Sequence, residues 1–188
     1  MSKQSWMELL QASEVDGSAL ASSTAATTLL PSHAKLTLPQ GFFDAPGKQI
    51  RVTLAGRIST LNPTPGNLTL SLQLGPTSAI GAASSGSMAL NTTATKTNVA
   101  WWAELLATCR AVGGGTNANL MFQWKVYSEA FALATTGVGM IFGPASAPAV
   151  GTGFDSTSAQ LVDIFGQWSV SSASNSITLH QFCFEALN

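Results

Sequence analysis

Apolar side chains alternate with small polar ones through most of this chain. Ile50, Val52, Leu54, Gly56 and Ile58 alternate with Arg51, Thr53, Ala55, Arg57 and Ser59. Leu68, Leu70, Leu72 and Leu74 do the same with Thr69, Ser71 and Gln73. A period of two places one set on each face of an extended strand, so each run predicts a strand with one buried face and one wettable face. Asn62-Pro63-Thr64-Pro65-Gly66-Asn67 lies between the two runs and is strong turn chemistry. Together they read as a hairpin-like pair. Further strands are expected at 34–38, 77–81, 86–91, 99–112, 119–128, 137–142, 159–170 and 176–186, with Gly113-Gly114-Gly115-Thr116-Asn117 and Ser171-Ser172-Ala173-Ser174-Asn175 as connections. Val162, Ile164, Gly166, Trp168 and Val170 share a face. In the last run Ile177 and Leu179 fall on one phase and Phe182 and Phe184 on the other. Either a bulge shifts the register there or both faces are covered.

The N-terminus has a different pattern. Trp6, Leu9 and Leu10 are spaced i, i+3, i+4, and Ser5 with Glu8 matches a capping box, which predicts a short helix over residues 4–11. Two turns are marginal alone in water, so its apolar face must dock on something. Residues 12–33 are small, polar and weakly patterned, and read as an extended arm with one strand near 24–30 that ends at Pro31. The expected organisation is therefore a helix and arm over residues 1–33 and a β-sandwich over 34–188. Many strands, long connections and almost no helix predict an all-β fold, a jelly-roll-like β-sandwich.

Charge changes the picture of the surface. Only 9% of the 188 residues are Asp, Glu, Lys or Arg, against about a quarter in a typical soluble domain. Positions 58–95 carry none. The eight Lys and Arg are scattered and the net charge is −1, which leaves no basic patch for nucleic acid. No run is long and apolar enough to span a membrane, and the first residues lack the apolar core of a leader, so folding in the cytoplasm of the producing cell is expected. Cys109 and Cys183 both fall in expected strands and read as small buried hydrophobes, with one bridge between adjacent strands as the alternative.

The catalytic inventory is thin. His33 and His180 are not part of any metal-ligand cluster, and Gly113-Gly114-Gly115-Thr116 is not followed by the lysine of a phosphate loop. Asp155 reads as a turn-former, and Asp155 and Asp163 are too far apart along a strand to act as paired carboxylates unless a loop folds back. No catalytic, cofactor or metal site is expected, and the chain reads as a non-enzyme. A hydrolase built on Asp155, Asp163 and His180 is the weakest alternative. Adjacent Trp101 and Trp102 must point to opposite faces, one into a core and the other toward a second layer, an arm or another subunit. With Trp6, Leu9 and Leu10 they form the expected assembly interface.

Several runs carry a resemblance. They are Trp6-Met7-Glu8-Leu9-Leu10 with Asp16-Gly17-Ser18-Ala19-Leu20; Thr97-Asn98-Val99-Ala100-Trp101-Trp102 leading to Cys109-Arg110-Ala111-Val112-Gly113; Gly153-Phe154-Asp155-Ser156-Thr157 before Asp163-Ile164-Phe165-Gly166-Gln167-Trp168; and Asn175-Ser176-Ile177-Thr178-Leu179-His180-Gln181. Over nearly its whole length the chain resembles small virion structural proteins of tailed bacteriophages. The resemblance implies a jelly-roll-type sandwich that assembles as a homotrimer on a capsid or tail, made in the cytoplasm of a bacterial host. The function expected from it is that of a capsid decoration (cement) protein bracing the lattice of the major capsid protein. Low charge suits that role, because burying unpaired ions is expensive. The alternatives are a tail- or fibre-associated virion protein and a carbohydrate- or receptor-binding β-sandwich module.

Overall fold

The inward phases of the alternating runs close on each other as two antiparallel sheets. The computed structural model describes residues 7–80, 88–131, 137–143, 150–151 and 153–187. In chain order its strands are β1 (Met7–Ala12), β2 (Leu20–Ala21), β3 (Thr27–Thr28), β4 (Leu36–Leu38), β5 (Gln49–Thr60), β6 (Asn67–Leu74), β7 (Thr77–Ile80), β8 (Met88–Ala89), β9 (Lys96–Ala111), β10 (Asn119–Ser128), β11 (Gly139–Gly143), β12 (Gln160–Trp168) and β13 (Ser176–Leu187). One sheet has seven strands in the order β1-β13-β5-β9-β10-β11, with β2 also on β13. The other has six, β3-β12-β6-β7, with β4 on β12 and β8 on β6. The core between them is filled from both sides: Val52, Leu54, Trp101, Leu105, Phe122, Trp124 and Phe184 from the larger sheet, and Leu70, Leu72, Val162, Ile164 and Trp168 from the smaller, are all buried.

The strands expected from alternation are present, most with close boundaries (the 86–91 run only as Met88–Ala89, with 81, 86 and 87 outside the described residues), but the hairpin-like pair is not a hairpin. β5 pairs with β13 and β9, whereas β6 pairs with β12, in the other sheet. The turn chemistry at 62–67 makes an arch between sheets. Two apolar strand faces can be buried together by facing across a core as well as by lying side by side, and alternation alone does not distinguish the two. The chain crosses again between β12 and β13, so the β5–β6 and β12–β13 ribbons travel together from sheet to sheet. This paired crossing is what makes the sandwich jelly-roll-like. Asn175, fully buried, fastens the two arches: its side-chain amide donates to Pro65 O at 2.8 Å and accepts from Leu61 N at 2.8 Å.

The N-terminal helix is a correction. Met7–Ala12 is a strand on the edge of β13, with a register shift between Leu9 and Gln11. There Leu10 packs on the core, while Met7 and Leu9 are exposed. The i, i+3, i+4 spacing was matched by only three side chains. An open strand edge offers a short segment hydrogen bonds that a two-turn helix would have to make unaided. Trp6 lies outside the described residues. The segment expected to be an arm joins both sheets: β2 extends the β13 edge, β3 and β4 pair with β12, and Leu20, Leu29 and Leu30 are buried in the common core.

The phase change in the last run is a bulge. The β13–β5 register shifts between Leu179 and Gln181, so Leu179 and Phe182 both point inward.

Candidate binding groove

That bulge opens onto the outer face of the seven-stranded sheet. Successive register partners there are Gln181, Ala55, Trp102, Tyr127 and Met140, one from each of five adjacent strands. Ala55 leaves a gap between Gln181 and Trp102, and Ala100 is similarly small. The result is an open groove of about 550 Å³, with Ala55, Gly56 and Ala100 in its lining, Trp102, Tyr127 and Val138 on the aromatic side, and Arg57, Glu129, His180 and Gln181 as its polar groups. Trp102 and Tyr127 are both half-buried, their ring centroids 5.4 Å apart and their planes tilted by 47°.

Trp101 holds the sheet beneath. It is buried, and its indole N–H donates to Thr178 O at 3.2 Å across β5. Only glycine fits between them: a Cβ on Gly56 would lie 1.9 Å from Thr178 O and 2.8 Å from the Trp101 indole nitrogen. The tryptophan pair therefore divides as the strand period requires, Trp101 to the core and Trp102 to the outer face. Of the five residues expected at an assembly interface, Trp102 and the exposed Leu9 face outward. Leu10 and Trp101 pack inward, and Trp6 lies outside the described residues.

His180 Nδ1 lies 2.9 Å from Asp16 Oδ1, which leaves Nε2 for a ligand. Glu129 is 3.8 Å from Lys96. Beyond the groove the same face carries ion pairs: Arg51 with Glu185 at 2.7 Å and Lys125 with Glu104 at 3.3 Å. The hydrogen bond to Glu185 raises the Arg51 pKa above its ordinary value. Leu106, Val138, Met140 and Phe142 remain exposed.

The remaining candidates stay apart. Asp155 is the turn-former its sequence predicts. It accepts from Thr157 N at 2.8 Å, Thr157 Oγ1 at 2.6 Å and Ser158 Oγ at 3.0 Å, and these bonds lower its pKa to about 2. Asp163 is buried in the other sheet beneath Lys35, Thr28 and its neighbour's amide. His180 lies across the sandwich from it, so these three form no site. Cys109 and Cys183 are free thiols. One lies in β9 and the other in β13, with β5 between them, and burial raises the pKa of both. Among the described residues no cluster of three His, Cys, Asp or Glu could hold a metal, and no helix is long and apolar enough to cross a membrane.

Of the groove residues, Trp102 was expected only as one of an adjacent pair, Trp101 and Trp102, of which one had to face outward. Tyr127, the chain's one tyrosine, lay in the outward phase of its run, and the phase change after Leu179 marked where His180 and Gln181 would be displaced. Arg57 carried no signal apart from its neighbours.

The fold and groove thus define a jelly-roll-like β-sandwich with an aromatic-lined groove on one outer face. No family model matches the chain, and no curated protein matches it. Among solved structures it is similar to arcelin-5, a lectin-like defence protein from Phaseolus vulgaris (8% identity, 97% of each chain, TM-score 0.36). It is also similar to winged bean acidic lectin complexed with methyl-alpha-D-galactose (9%, 98% of this chain and 99% of that one, 0.31). A third is the CBM2 module of the evolved Dit of Lactobacillus casei BL23 phage J-1 (9%, 82% and 68%, 0.29). At such scores the likeness carries no argument, and the fold and the groove rest on this chain's own geometry.

Proposed function

We propose that this chain is a non-catalytic recognition module that binds a glycan in the groove of its seven-stranded sheet. The observation that carries this reading is the Trp102–Tyr127 pair, two amphipathic rings held side by side on an outer face above a floor of small residues. A sugar ring has apolar C–H faces and a polar hydroxyl rim. An aromatic wall with a few polar groups at its edge matches both. A single carboxylate, Glu129, is in the groove lining and faces Lys96, which is short of the two that glycoside hydrolysis ordinarily requires. The test is a glycan array with the wild type and Trp102→Ala. Binding that weakens at least about tenfold, about 1.4 kcal/mol, in the variant supports the reading. Binding unchanged by the substitution overturns it.

A second reading is favoured by a different observation, the exposed Val138, Met140 and Phe142 beside the groove on a chain with so few charges. In it the chain is a virion structural protein, a homotrimeric decoration protein bracing the major capsid protein or a tail-associated subunit, and this apolar strip is covered on assembly. Co-sedimentation with assembled capsids, and its loss in Phe142→Ser, tests it. Protein that ignores capsids and stays monomeric counts against it.

A further inference from the structure

The cations of this charge-poor chain are nearly all committed. Lys35, Lys48, Arg51, Lys96 and Lys125 each hold a carboxylate. Among the described residues only Arg57 and Arg110 form no ion pair. Arg110 has its guanidinium on the Met121 sulfur at 3.1 Å and is outside the groove lining. Arg57 is in that lining, exposed, and held only by a long contact of 3.4 Å from Nη1 to Asn98 O. The carboxylates nearby are already engaged, Asp16 with His180 and Glu129 with Lys96. A planar guanidinium with free donors beside an aromatic wall suits one ligand chemistry, a sugar ring bearing a carboxylate. The fork can donate to two oxygens at once while the ring lies against Trp102 and Tyr127.

We infer that the groove is selective for acidic sugars, hexuronates or sialic-type acids, with Arg57 as the specificity-determining residue. This rests on the glycan-binding reading and deepens it. In register Arg57 is opposite Thr178 on one side and Ala100 on the other, so no bulky neighbour blocks its approach to the groove. With its Nδ1 engaged by Asp16, His180 can accept a sugar hydroxyl at Nε2.

The experiment measures binding of matched oligosaccharides that end in a hexuronate, in the methyl ester of that hexuronate, in a sialic acid, in a sulfated hexose and in the neutral hexose. The proteins are wild type, Arg57→Gln and, as control, Arg110→Gln, each checked by thermal melting. The inference expects the acids to bind at least about tenfold more tightly than the ester and the neutral sugar, with salt weakening the acids alone. It expects Arg57→Gln to reduce that preference to under about twofold, and Arg110→Gln, outside the groove lining, to change nothing. A sulfated sugar bound as tightly as the carboxylates overturns the carboxylate selectivity. Neutral sugars bound as well as acids, or a preference that survives Arg57→Gln, overturn the inference and leave the glycan reading standing. A folded wild type that binds no member of the panel overturns that reading, and the inference with it.

Discussion

The two sheets present very different outer faces. On the six-stranded sheet several outward polar side chains are used by the protein itself. The Asp163 carboxylate is taken by Lys35, by Thr28 Oγ1 at 2.6 Å and by Ile164 N at 2.8 Å. Gln167 donates to Thr24 O at 3.0 Å and Gln73 to Ser71 Oγ at 3.4 Å. On the seven-stranded sheet Trp102, Tyr127, Met140 and Phe142 leave apolar surface in water, next to an arginine without a carboxylate. A face whose polar groups satisfy each other is complete in the folded chain. A face that keeps aromatic area and a free cation at the surface gains free energy only when something else covers it. The contrast separates a face whose polar groups are satisfied within the chain from one that the proposed recognition reading uses.

The strongest way to break this contrast is to attack the completed face. Asp163→Ala removes a buried carboxylate and leaves Lys35 without its partner, so a loss of about 3 kcal/mol is expected in urea unfolding, with groove binding kept in the protein that remains folded. A loss below about 1 kcal/mol would remove the distinction between the faces. Asn175→Ala, at the seam where both ribbons cross, leaves the Pro65 carbonyl and the Leu61 amide buried without partners. About 2 kcal/mol should be lost, read as a lower melting temperature by far-ultraviolet circular dichroism. Trp102→Ala should cost under about 1 kcal/mol of stability because its ring is partly in water, yet abolish most groove binding. If it unfolds the protein as Asp163→Ala does, the aromatic pair is a packing feature.

The smallest effect concerns pH. Asp155 has its pKa lowered to about 2 by Thr157 and Gly115, so its folded value lies below its unfolded one. Its contribution is fully present above about pH 4 and is lost as pH falls through about 2. Melting temperature followed across that window should fall slightly less steeply in Asp155→Asn than in wild type, and an identical acid profile in the two would show that the turn does not link protonation to stability.

The strands could be read from the sequence because burial on one face leaves a period-two trace, visible in 50–59, 68–74 and 119–128 without any knowledge of partners. Register irregularity was legible too, since Leu179 and Phe182 cannot both point inward without an extra residue between them. Residues 7–11, expected as part of a helix, were misread because apolar side chains at that spacing fit a helix face as well as a bulged strand. The groove was only partly legible. One of Trp101 and Trp102 had to face outward, though not which, and Arg57, Tyr127 and His180 lie far apart in the chain and share no motif.

The sequence by itself determined an all-β chain, the inward face of nearly every strand, and a surface poor in charge. Alternation and composition are local properties, and each run records its own burial. Only the tertiary structure decided which strands became neighbours. It put β5 and β6 in opposite sheets, turned an expected helix into the edge of β13, and set Arg57 beside Trp102 and His180. Those outcomes depend on hydrogen-bond register and on faces meeting across a core, pairings between distant segments that no single segment encodes.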